Sequence, residues 1–310
     1  MTSIATLTLN PAIDKSCRVE QVVPERKLRC REPQFDPGGG GINVARAVTE
    51  LGGDVLALWM CGGPTGEMLK KLLDESSVPH EPIPIEASTR ENLIVFEESS
   101  GQQFRFGMPG GTLNEADVQN CRERLKSLDP PPKFLVLSGS LPANVDEDLY
   151  ARLIRDVPDS CRVILDTSGP PLKLGIEVPV YLIKPNIREL GELMDTTIED
   201  DVQIRAAARA LIAAGKTQVV VTSLGSGGVA LTTEDEHAHI RAPTVKIESK
   251  VGAGDSMVAG IVLGLSQGQP IEEAVRLGVA AGSAAVMTKG TELCRREDVE
   301  RLAREMKHLS

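Results

Sequence analysis

Short apolar runs alternate along the chain with segments of helical periodicity, and this alternation constrains the fold more than any other feature. The apolar runs lie at residues 4–9, 55–59, 134–137, 163–165, 180–183 and 218–221. Helical spacing of apolar residues occurs at 42–51, 67–73, 149–154 and 204–214, and it dominates from about Gly252 onward. Strands that alternate with helices predict an α/β protein whose parallel sheet is covered by helices on both faces.

Two segments, residues 15–35 and 88–108, do not follow this alternation. The first alternates loosely and is rich in basic side chains: Arg18, Arg26, Lys27, Arg29 and Arg31. The second is typical of a β-hairpin, with strands at 92–97 and 103–106 around a Ser-Ser-Gly turn. Because these strands have no helices of their own, we expect a small separate sheet, a β lid on a single domain that spans residues 1–310. One face of such a sheet needs cover, and dimerisation through the lid would supply it.

The charge and composition of the chain argue against several classes of partner. With 34 basic and 44 acidic residues the net charge is -10 at pH 7, which disfavours binding to nucleic acid or to an anionic membrane. No apolar run reaches the ~18 residues of a membrane-spanning helix, and the N-terminus lacks a signal pattern. We therefore expect a cytoplasmic protein with neither nucleic acid nor membrane as a partner. The six cysteines are scattered without a C-x-x-C pair, which predicts isolated thiols.

The segment Lys250-Val-Gly-Ala-Gly-Asp255 runs directly into an apolar helical stretch. Its small residues let backbone amides approach a ligand, and a helix N-terminus with free amides binds anions. Phosphoryl transfer needs such an anion site together with a carboxylate near the acceptor hydroxyl, and Asp255 is placed to supply it. An ordinary N-cap role for Asp255 explains the same residues equally well, so this segment alone leaves both interpretations open.

Residues 38–41 are four consecutive glycines that open another helical segment, with Asn43 in its first turn. Four glycines cost considerable conformational entropy on folding, so we expect their backbone to approach a polar ligand that Asn43 faces. The segment does not fit the dinucleotide pattern G-x-G-x-x-G. Gly215-Lys216-Thr217 is not the end of a Walker A loop either, because residue 210 is alanine where that motif requires glycine.

Two further turns follow apolar runs at the strand ends where α/β sheets bind their ligands. Lys184-Pro-Asn186-Ile-Arg-Glu189 follows the run at 180–183, and Ser223-Leu-Gly225-Ser-Gly-Gly228 follows the run at 218–221. Asn186 and Glu189 are three residues apart at a helix start, so they share a face that could hold a hydrated Mg²⁺. A capping box, with asparagine at the N-cap and glutamate at N3, explains the same pair.

Together these motifs resemble the ribokinase/PfkB carbohydrate kinase family, whose signatures are a Gly-rich segment near the N-terminus and a Gly-Ala-Gly-Asp segment near the C-terminus. The similarity extends over essentially the whole chain. Four segments are similar to the phosphosugar-kinase branch: Asn10-Pro-Ala-Ile-Asp14, Lys27-Leu-Arg-Cys30, residues 38–46 and Ser138-Gly-Ser-Leu-Pro142. The resemblance implies a three-layer α/β/α ribokinase-like sandwich with a small β lid, commonly paired with the lid of a second subunit in a homodimer. It implies ATP-dependent phosphorylation of fructose 6-phosphate to fructose 1,6-bisphosphate, with Mg²⁺ as the cofactor.

The resemblance also implies roles for individual residues. Asp255 would be the catalytic base, and the amides of Gly252, Ala253 and Gly254 would form an anion hole. The implied sugar-phosphate contacts are Asp14, Gly39, Gly40, Asn43, Arg90, Arg105 and Ser138. The implied nucleotide contacts are Lys184, Asn186, Ser223, Gly225, Gly228, Val279 and Ser283. Lys27 would approach a phosphate at the lid, and Glu189 would lie in the metal region.

Two positions depart from the family pattern. Lys250 stands five residues before Asp255, where the family usually has threonine near a monovalent-cation site. Glu292 stands where a basic residue is expected beside the same loop. Because an ammonium group at position 250 would replace or repel a cation, we expect weak dependence on K⁺.

Alternative functions differ in the molecule that accepts the phosphoryl group, or lack catalysis altogether. Tagatose 6-phosphate and fructose 1-phosphate are alternative acceptors that the sequence does not distinguish from fructose 6-phosphate. A ribokinase or nucleoside kinase is less favoured, because Arg90 and Arg105 on the predicted hairpin suit a phosphorylated sugar. A sugar-phosphate sensor without catalysis is disfavoured by the intact Asp255 and the glycines before it.

Overall fold

The structure is a computed structural model that describes residues 3–307, and within this range thirteen strands form two sheets. The nine strands of the main sheet are β1 (Ile4–Thr8), β4 (Val55–Cys61), β5 (His80–Pro84), β8 (Phe134–Ser138), β9 (Arg162–Asp166), β10 (Val180–Ile183), β11 (Thr217–Ser223), β12 (Val229–Thr232) and β13 (His237–Ile240). The four strands of the smaller sheet are β2 (Ala12–Val19), β3 (Arg31–Gly38), β6 (Arg90–Glu97) and β7 (Gln103–Gly107).

Ten α-helices in the described range form two layers, one on each face of the main sheet. They are α1 (Gly40–Glu50), α2 (Gly63–Glu75), α3 (Glu115–Lys126), α4 (Leu149–Arg155), α5 (Pro170–Gly175), α6 (Ile187–Leu193), α7 (Asp201–Ala213), α8 (Ala253–Ser266), α9 (Ile271–Ala285) and α10 (Arg296–Lys307). Helices α1, α2, α8, α9 and α10 pack with Ile4 in one apolar core, and helices α3 to α7 pack with Ala5 in the other. Successive strand residues point to opposite faces, so one strand supplies both cores. The predicted three-layer α/β/α fold is confirmed.

The main sheet has the order β13-β12-β11-β10-β9-β8-β1-β4-β5, and it departs from the predicted parallel pairing at one edge. The seven strands that run from β11 to β5 in this order pair in parallel. Strands β12 and β13 form an antiparallel hairpin on β11. Strand β13 is polar: His237 contacts the hydroxyl of Thr232 at 2.9 Å, and His239 is exposed. An edge strand has one solvated side, so it lacks the continuous apolar run that identifies a central strand.

The smaller sheet, which we call the lid, has the order β3-β2-β6-β7 and lies beside the carboxyl ends of the main strands. Both predicted segments, 15–35 and 88–108, contribute strands to it, although β2 begins earlier at Ala12 and β3 continues to Gly38. Strand β2 follows β1 after a short turn, and β3 leads directly into α1. The lid is therefore continuous with two elements of the main domain.

The two faces of the lid differ in polarity. The strand register places Asp14 of β2 opposite Asp36 of β3 and Asn92 of β6, so these three side chains share one face. The other face carries the buried cluster of Cys17 and Val95. It also carries Phe35 and Phe106, which are 37% and 46% exposed. None of the helices within residues 3–307 has the length and apolar character needed to cross a membrane.

Candidate active site

Asp255 lies in the first turn of α8, directly after a turn that favours glycine. The N-cap of this helix is Gly252, which has a left-handed backbone with φ of 71°. A β-carbon at position 252 would lie 2.4 Å from Cδ2 of Leu293, so a larger residue would also clash there. Since the N-cap is glycine and the helix has no side-chain cap, the interpretation of Asp255 as an N-cap is wrong. Its carboxylate is thus available for another role.

The four-glycine segment brings Asn43 to Asp255. The first turn of α1 carries Asn43, whose Nδ2 donates a hydrogen bond to Oδ2 of Asp255 at 2.9 Å. Arg46, one turn further along α1, donates to Oδ1 of Asn43 at 3.3 Å and to the carbonyl of Pro37 at 2.8 Å. The amide of Asn43 is therefore held on both of its ends, and its orientation toward Asp255 is fixed.

The surroundings of Asp255 hold its pKa above the ordinary value. The pKa of Asp255 is raised from 3.8 to about 6, chiefly by burial and next by the nearby Asp166, while Asn43 and Lys184 oppose the increase. A carboxylate with this pKa is mostly ionised at neutral pH but still accepts a proton readily. General bases work best when their pKa lies near the pH of the reaction.

Lys184 supplies a cation on the other side of Asp255. Its Nζ lies 3.2 Å from Oδ1 of Asp166, at the end of β9. Burial by itself lowers the pKa of Lys184, but the ion pair with Asp166, together with Asp255 and Glu189, raises it, so the lysine keeps its charge. A hypothetical β-carbon on Gly254 would lie 3.5 Å from this Nζ, which places the ammonium group next to the amides at the start of α8. The Lys184 ammonium group and the N-terminus of α8 thus form one anion-binding surface.

Asp255, Lys184 and Asp166 line a cavity of about 270 Å³ at the carboxyl ends of the central strands. Its wall includes Ser138, Asp166, Lys184, Asn186, Glu189, Ser223 and Asp255. A larger cleft of about 900 Å³ lies at the opposite ends of the strands, around Arg155, Arg162 and Glu236. Because ligands of α/β sheets bind at the carboxyl ends, and the glycine-rich turns converge there, we assign the site to the smaller cavity.

Asn186 and Glu189 form the capping box that the sequence offered as one of two interpretations. The side chain of Asn186 accepts from the amide of Glu189, and the Glu189 carboxylate accepts from the amide of Asn186, both at 2.9 Å. Among residues 3–307 no cluster of three or more histidine, cysteine or acidic side chains is arranged to hold a metal ion by itself.

The polar face of the lid contributes a second group of residues. Oδ1 of Asp14 accepts from Nδ2 of Asn92 at 2.8 Å, and burial raises the pKa of Asp14 despite this bond and the nearby Arg90. Arg90 donates to the backbone carbonyls of Asn10 and Met108 at 3.2–3.3 Å, which fixes its guanidinium group beside Asp14.

Residues 38–41 pack too closely for any side chain to replace their glycines. A β-carbon on Gly38 would lie 2.5 Å from Oδ2 of Asp14, and one on Gly40 would lie 2.3 Å from Oγ of Ser138. This close approach explains why the turn is made of glycine. The turn therefore joins the polar face of the lid to the wall of the cavity.

Comparison with known proteins identifies the family. The model of the pfkB family of carbohydrate kinases matches residues 5–298. The chain belongs to the PfkB family of carbohydrate kinases. An ATP-dependent 6-phosphofructokinase isozyme 2 of Mycobacterium tuberculosis is 45% identical over 303 residues, which are 96% of this chain and 88% of that protein.

Solved structures of relatives agree with this family. Crystal structures of phosphofructokinase-2 from Escherichia coli in complex with potassium and with fructose-6-phosphate have TM-scores of 0.94 and 0.93. They are 41% and 39% identical to this kinase, and each comparison covers 99% of this chain and 100% of the other. Proteins called 1-phosphofructokinase or tagatose-6-phosphate kinase are 30% to 35% identical. The predictions of the family, of the ribokinase-like fold and of a kinase are confirmed.

The predicted nucleotide residues of this kinase lie around β11 and α9. The amide of Ser223 donates to the carbonyl of Pro185 at 2.9 Å, which joins the turns after β10 and β11. Gly225 and Gly228 have φ of 60° and 96°, so the turn between them depends on glycine. Ser283 and Val279 lie on α9 and are 8% and 1% exposed.

Several predicted residues do not line the cavity. Val279 packs in the apolar core with α8 and α9. Lys27 and Arg105 are exposed on the lid, and Nε of Arg105 donates to Gln103 at 3.2 Å.

Three residues of the site were not predicted from the sequence. Asp166 pairs with Lys184, Arg46 orients Asn43, and Asn92 holds Asp14. A signal existed for Asp166, because it ends an apolar run and is followed by Thr-Ser-Gly, as expected at the carboxyl end of a strand. Arg46 and Asn92 carry no comparable signal, since their roles depend on partners elsewhere in the fold.

Proposed function

We propose that this kinase transfers the γ-phosphoryl group of ATP to the 1-hydroxyl of fructose 6-phosphate and forms fructose 1,6-bisphosphate and ADP. The observation that carries the proposal is the placement of the Asp255 carboxylate in the first turn of α8, bonded to Asn43 and close to the Lys184 ammonium group. The names of the relatives add support, because several are 6-phosphofructokinases.

In this proposal Asp255 is the general base. Its carboxylate accepts the proton of the 1-hydroxyl as that oxygen bonds to the γ-phosphorus, and the bond from the γ-phosphorus to the β–γ bridging oxygen breaks to release ADP. The pKa of about 6 suits this role, since the carboxylate is ionised before the reaction and holds the proton afterwards. Asn43 positions the carboxylate.

The start of α8 stabilises the charge of the migrating phosphoryl group. The amides of Gly252, Ala253 and Gly254 point out of the helix N-terminus, and Lys184 lies beside Gly254. Fixed donors of this kind lower the barrier because they need no rearrangement during the reaction. We assign these amides the role of the anion hole.

The sugar phosphate would lie between the lid and the four-glycine turn. Asp14, Asn43 and Ser138 would hold hydroxyl groups, and the backbone of Gly39 and Gly40 is free of side chains that would block them. Arg90 and Arg105, on the polar face of the lid, would hold the 6-phosphate, and Lys27 would approach a phosphate from the adjoining loop. A neutral sugar has no group for these cations, which disfavours a ribokinase activity.

The nucleotide would lie along the turns after β10 and β11, near Lys184, Asn186, Ser223, Gly225, Gly228 and Ser283. Val279 would act only as packing behind Ser283, because it belongs to the core. Mg²⁺ is commonly bound by one or two carboxylates together with substrate phosphates, and Asp166 and Glu189 on one cavity wall fit this pattern. When bound, Mg²⁺ neutralises charge on the β- and γ-phosphates.

We also propose a homodimer formed through the lid. The outer face of the lid carries Phe35 and Phe106, both exposed, beside the cluster of Cys17 and Val95. An isolated four-stranded sheet with an apolar outer face gains stability when that face is covered. A second copy of the lid offers a surface of the same chemistry.

The function is tested by coupled measurement of ADP release with Mg-ATP and each of four acceptors: fructose 6-phosphate, tagatose 6-phosphate, fructose 1-phosphate and ribose. We expect the highest kcat/KM for fructose 6-phosphate and a loss of about 10²-fold or more in kcat for Asp255→Asn. Asp159→Asn is the matched control, because Asp159 is exposed and distant from the cavity.

The outcomes separate substrate from mechanism. Turnover of only tagatose 6-phosphate or fructose 1-phosphate would leave the mechanism intact and change the acceptor. An Asp255→Asn variant with the activity of Asp159→Asn would refute the role of Asp255 as the base.

A further inference from the structure

A hydrogen bond joins the lid to the loop between α9 and α10. Oγ1 of Thr291 donates to Oδ2 of Asp36 at 2.6 Å, although the two residues are 255 positions apart in the chain. Thr291 is 4% exposed, so water competes little for this bond. Neither residue lines the cavity described above.

On the lid side, Asp36 belongs to the face that holds the proposed sugar-phosphate contacts. It lies opposite Asp14 in the register of β2 and β3, and two residues later β3 ends at Gly38. A movement of β3 therefore shifts Asp14, Asp36 and the four-glycine turn together. Asp36 also attracts the Arg46 guanidinium group, which orients Asn43.

On the other side, the loop that contains Thr291 is bound to the turn before Asp255. The carbonyl of Gly290 accepts from Oγ of Ser249 at 2.9 Å, and the same Oγ accepts from the amide of Val251 at 3.2 Å. Leu293 packs against Gly252, where a β-carbon would lie 2.4 Å from its Cδ2. The position of Thr291 is thus transmitted to Gly252 and to the amides of the anion hole through direct contacts.

We infer that the Thr291–Asp36 hydrogen bond couples the two halves of the site, so that a bound sugar phosphate raises the affinity for the nucleotide and the reverse. The inference rests on the proposed function, because it assigns the lid to the sugar phosphate and the start of α8 to the nucleotide phosphates. Thr291 and Asp36 are positioning residues, since they act through Asp14, Gly252 and their neighbours. Coupling of this kind is reciprocal: each ligand changes the affinity for the other by the same factor.

The test measures this factor directly by titration calorimetry. The dissociation constant of fructose 6-phosphate is determined without and with a saturating, non-hydrolysable Mg-ATP analogue, for wild type, Thr291→Val, Thr291→Ser and Asp36→Ala. We expect a ratio of about fivefold or more in wild type and in Thr291→Ser, which keeps the hydroxyl. In Thr291→Val and Asp36→Ala we expect a ratio within about twofold of one. A variant that carries both substitutions, titrated in the same way, should resemble either single variant.

Thr288→Val is the matched control. Oγ1 of Thr288 lies 2.7 Å from the carbonyl oxygens of both Ala285 and Glu292 and has one proton to share between them, so its loss loosens the same loop without breaking the contact to the lid. We expect a lower Tm with an unchanged coupling ratio for this control. A Thr291→Val ratio equal to that of wild type, or a loss in Thr291→Ser or Thr288→Val as large as in Thr291→Val, would overturn the inference. A ratio of one in active wild type would do the same.

Failure of the proposed function has a different signature. In that case the wild-type protein neither binds nor turns over fructose 6-phosphate, and both the function and the inference built on it are overturned. A wild-type enzyme that turns over fructose 6-phosphate while Thr291→Val keeps the full ratio overturns the inference alone.

Discussion

Asn43 and Asp255, 212 positions apart in the chain, are joined by a hydrogen bond of 2.9 Å from the amide Nδ2 to the carboxylate Oδ2. The bond connects the first turn of α1 to the first turn of α8, and it is one of two interactions that oppose the effect of burial on the pKa of Asp255. The two glycine-rich segments of the sequence thus meet at one carboxylate, whose proton affinity depends on the groups around it.

Replacing Asn43 by alanine is expected to raise the pKa of Asp255, because the hydrogen bond stabilises the ionised form. The acidic limb of the pH profile of kcat/KM should move to higher pH, and activity at about pH 7 should fall by roughly 10- to 100-fold. The measurement is kcat/KM for fructose 6-phosphate between about pH 5 and 9.

Asn144→Ala is the matched control for that experiment. Asn144 exchanges hydrogen bonds with the backbone of Leu113, away from the cavity. Its replacement should therefore lower the stability of the fold and leave the acidic limb of the pH profile where it is in wild type. An Asn43→Ala profile with an unmoved acidic limb would contradict the role of the bond.

Replacing Asp166 by asparagine is expected to move the acidic limb of the kcat/KM profile to lower pH, opposite to the shift expected for Asn43→Ala. Asp166 raises the pKa of Asp255 by repulsion between carboxylates, so its removal should lower that pKa. The lost ion pair with Lys184 should also raise KM for ATP, since the lysine is no longer held at 3.2 Å. Opposite limb shifts in Asp166→Asn and Asn43→Ala would separate electrostatic effects from general damage, whereas shifts of the same sign would argue against this account.

Asp255→Asn is expected to be more stable than wild type at neutral and alkaline pH. The pKa of Asp255 rises on folding from 3.8 to about 6, so within this window the folded state binds more protons than the unfolded state. Stability therefore falls as pH rises through the window, and the full shift corresponds to about 3 kcal/mol.

The measurement is urea unfolding of both proteins at about pH 4 and pH 8. The difference should be largest at the higher pH and small at the lower one. Asp159→Asn, an exposed substitution, should show no such dependence. A wild type at least as stable as Asp255→Asn at both pH values would show that burial of this carboxylate carries no cost.

Lys250 is expected to make the enzyme insensitive to K⁺. Its side chain is exposed, five residues before Asp255 and next to Ser249, which binds the carbonyl of Gly290. An ammonium group at this loop repels a second cation, so K⁺ should change kcat/KM by less than about twofold over Na⁺ in wild type. In Lys250→Thr the stimulation should exceed about fivefold, with Lys246→Thr as the control. A large, saturable activation of wild type by K⁺ would defeat the idea.

Cys30 is expected to be the one thiol that reacts rapidly with a disulfide reagent in dilute protein, where the proposed lid dimer is dissociated. It is exposed, whereas the other five cysteines are buried. Burial raises the pKa of Cys121 and Cys161 to about 12, which keeps their thiols protonated and slow to react. Thiol counting should give one fast group in wild type and none in Cys30→Ser. Protection of Cys30 in wild type would indicate that a second copy covers this part of the lid.

The sequence by itself determined the class of fold, the family and the two glycine-rich segments. These features are local: a strand repeats every two residues, a helix every 3.6, and a glycine turn is specified within a few positions. The same locality explains the misses. Strands β5 and β13 lie at the two edges of the main sheet, where solvated side chains need not be apolar. Neither strand therefore contains an apolar run from which it could be predicted.

Only the tertiary structure decided which local features act together. The choice between an N-cap and a free carboxylate at Asp255 depended on the backbone of Gly252, and both interpretations fitted the same residues. The roles of Asp166 and Arg46, and the bond from Thr291 to Asp36, depend on partners far away in the chain. Such contacts form when the parallel strands bring their carboxyl ends to one edge of the sheet. A pattern of a few residues does not specify which distant residues lie across that edge.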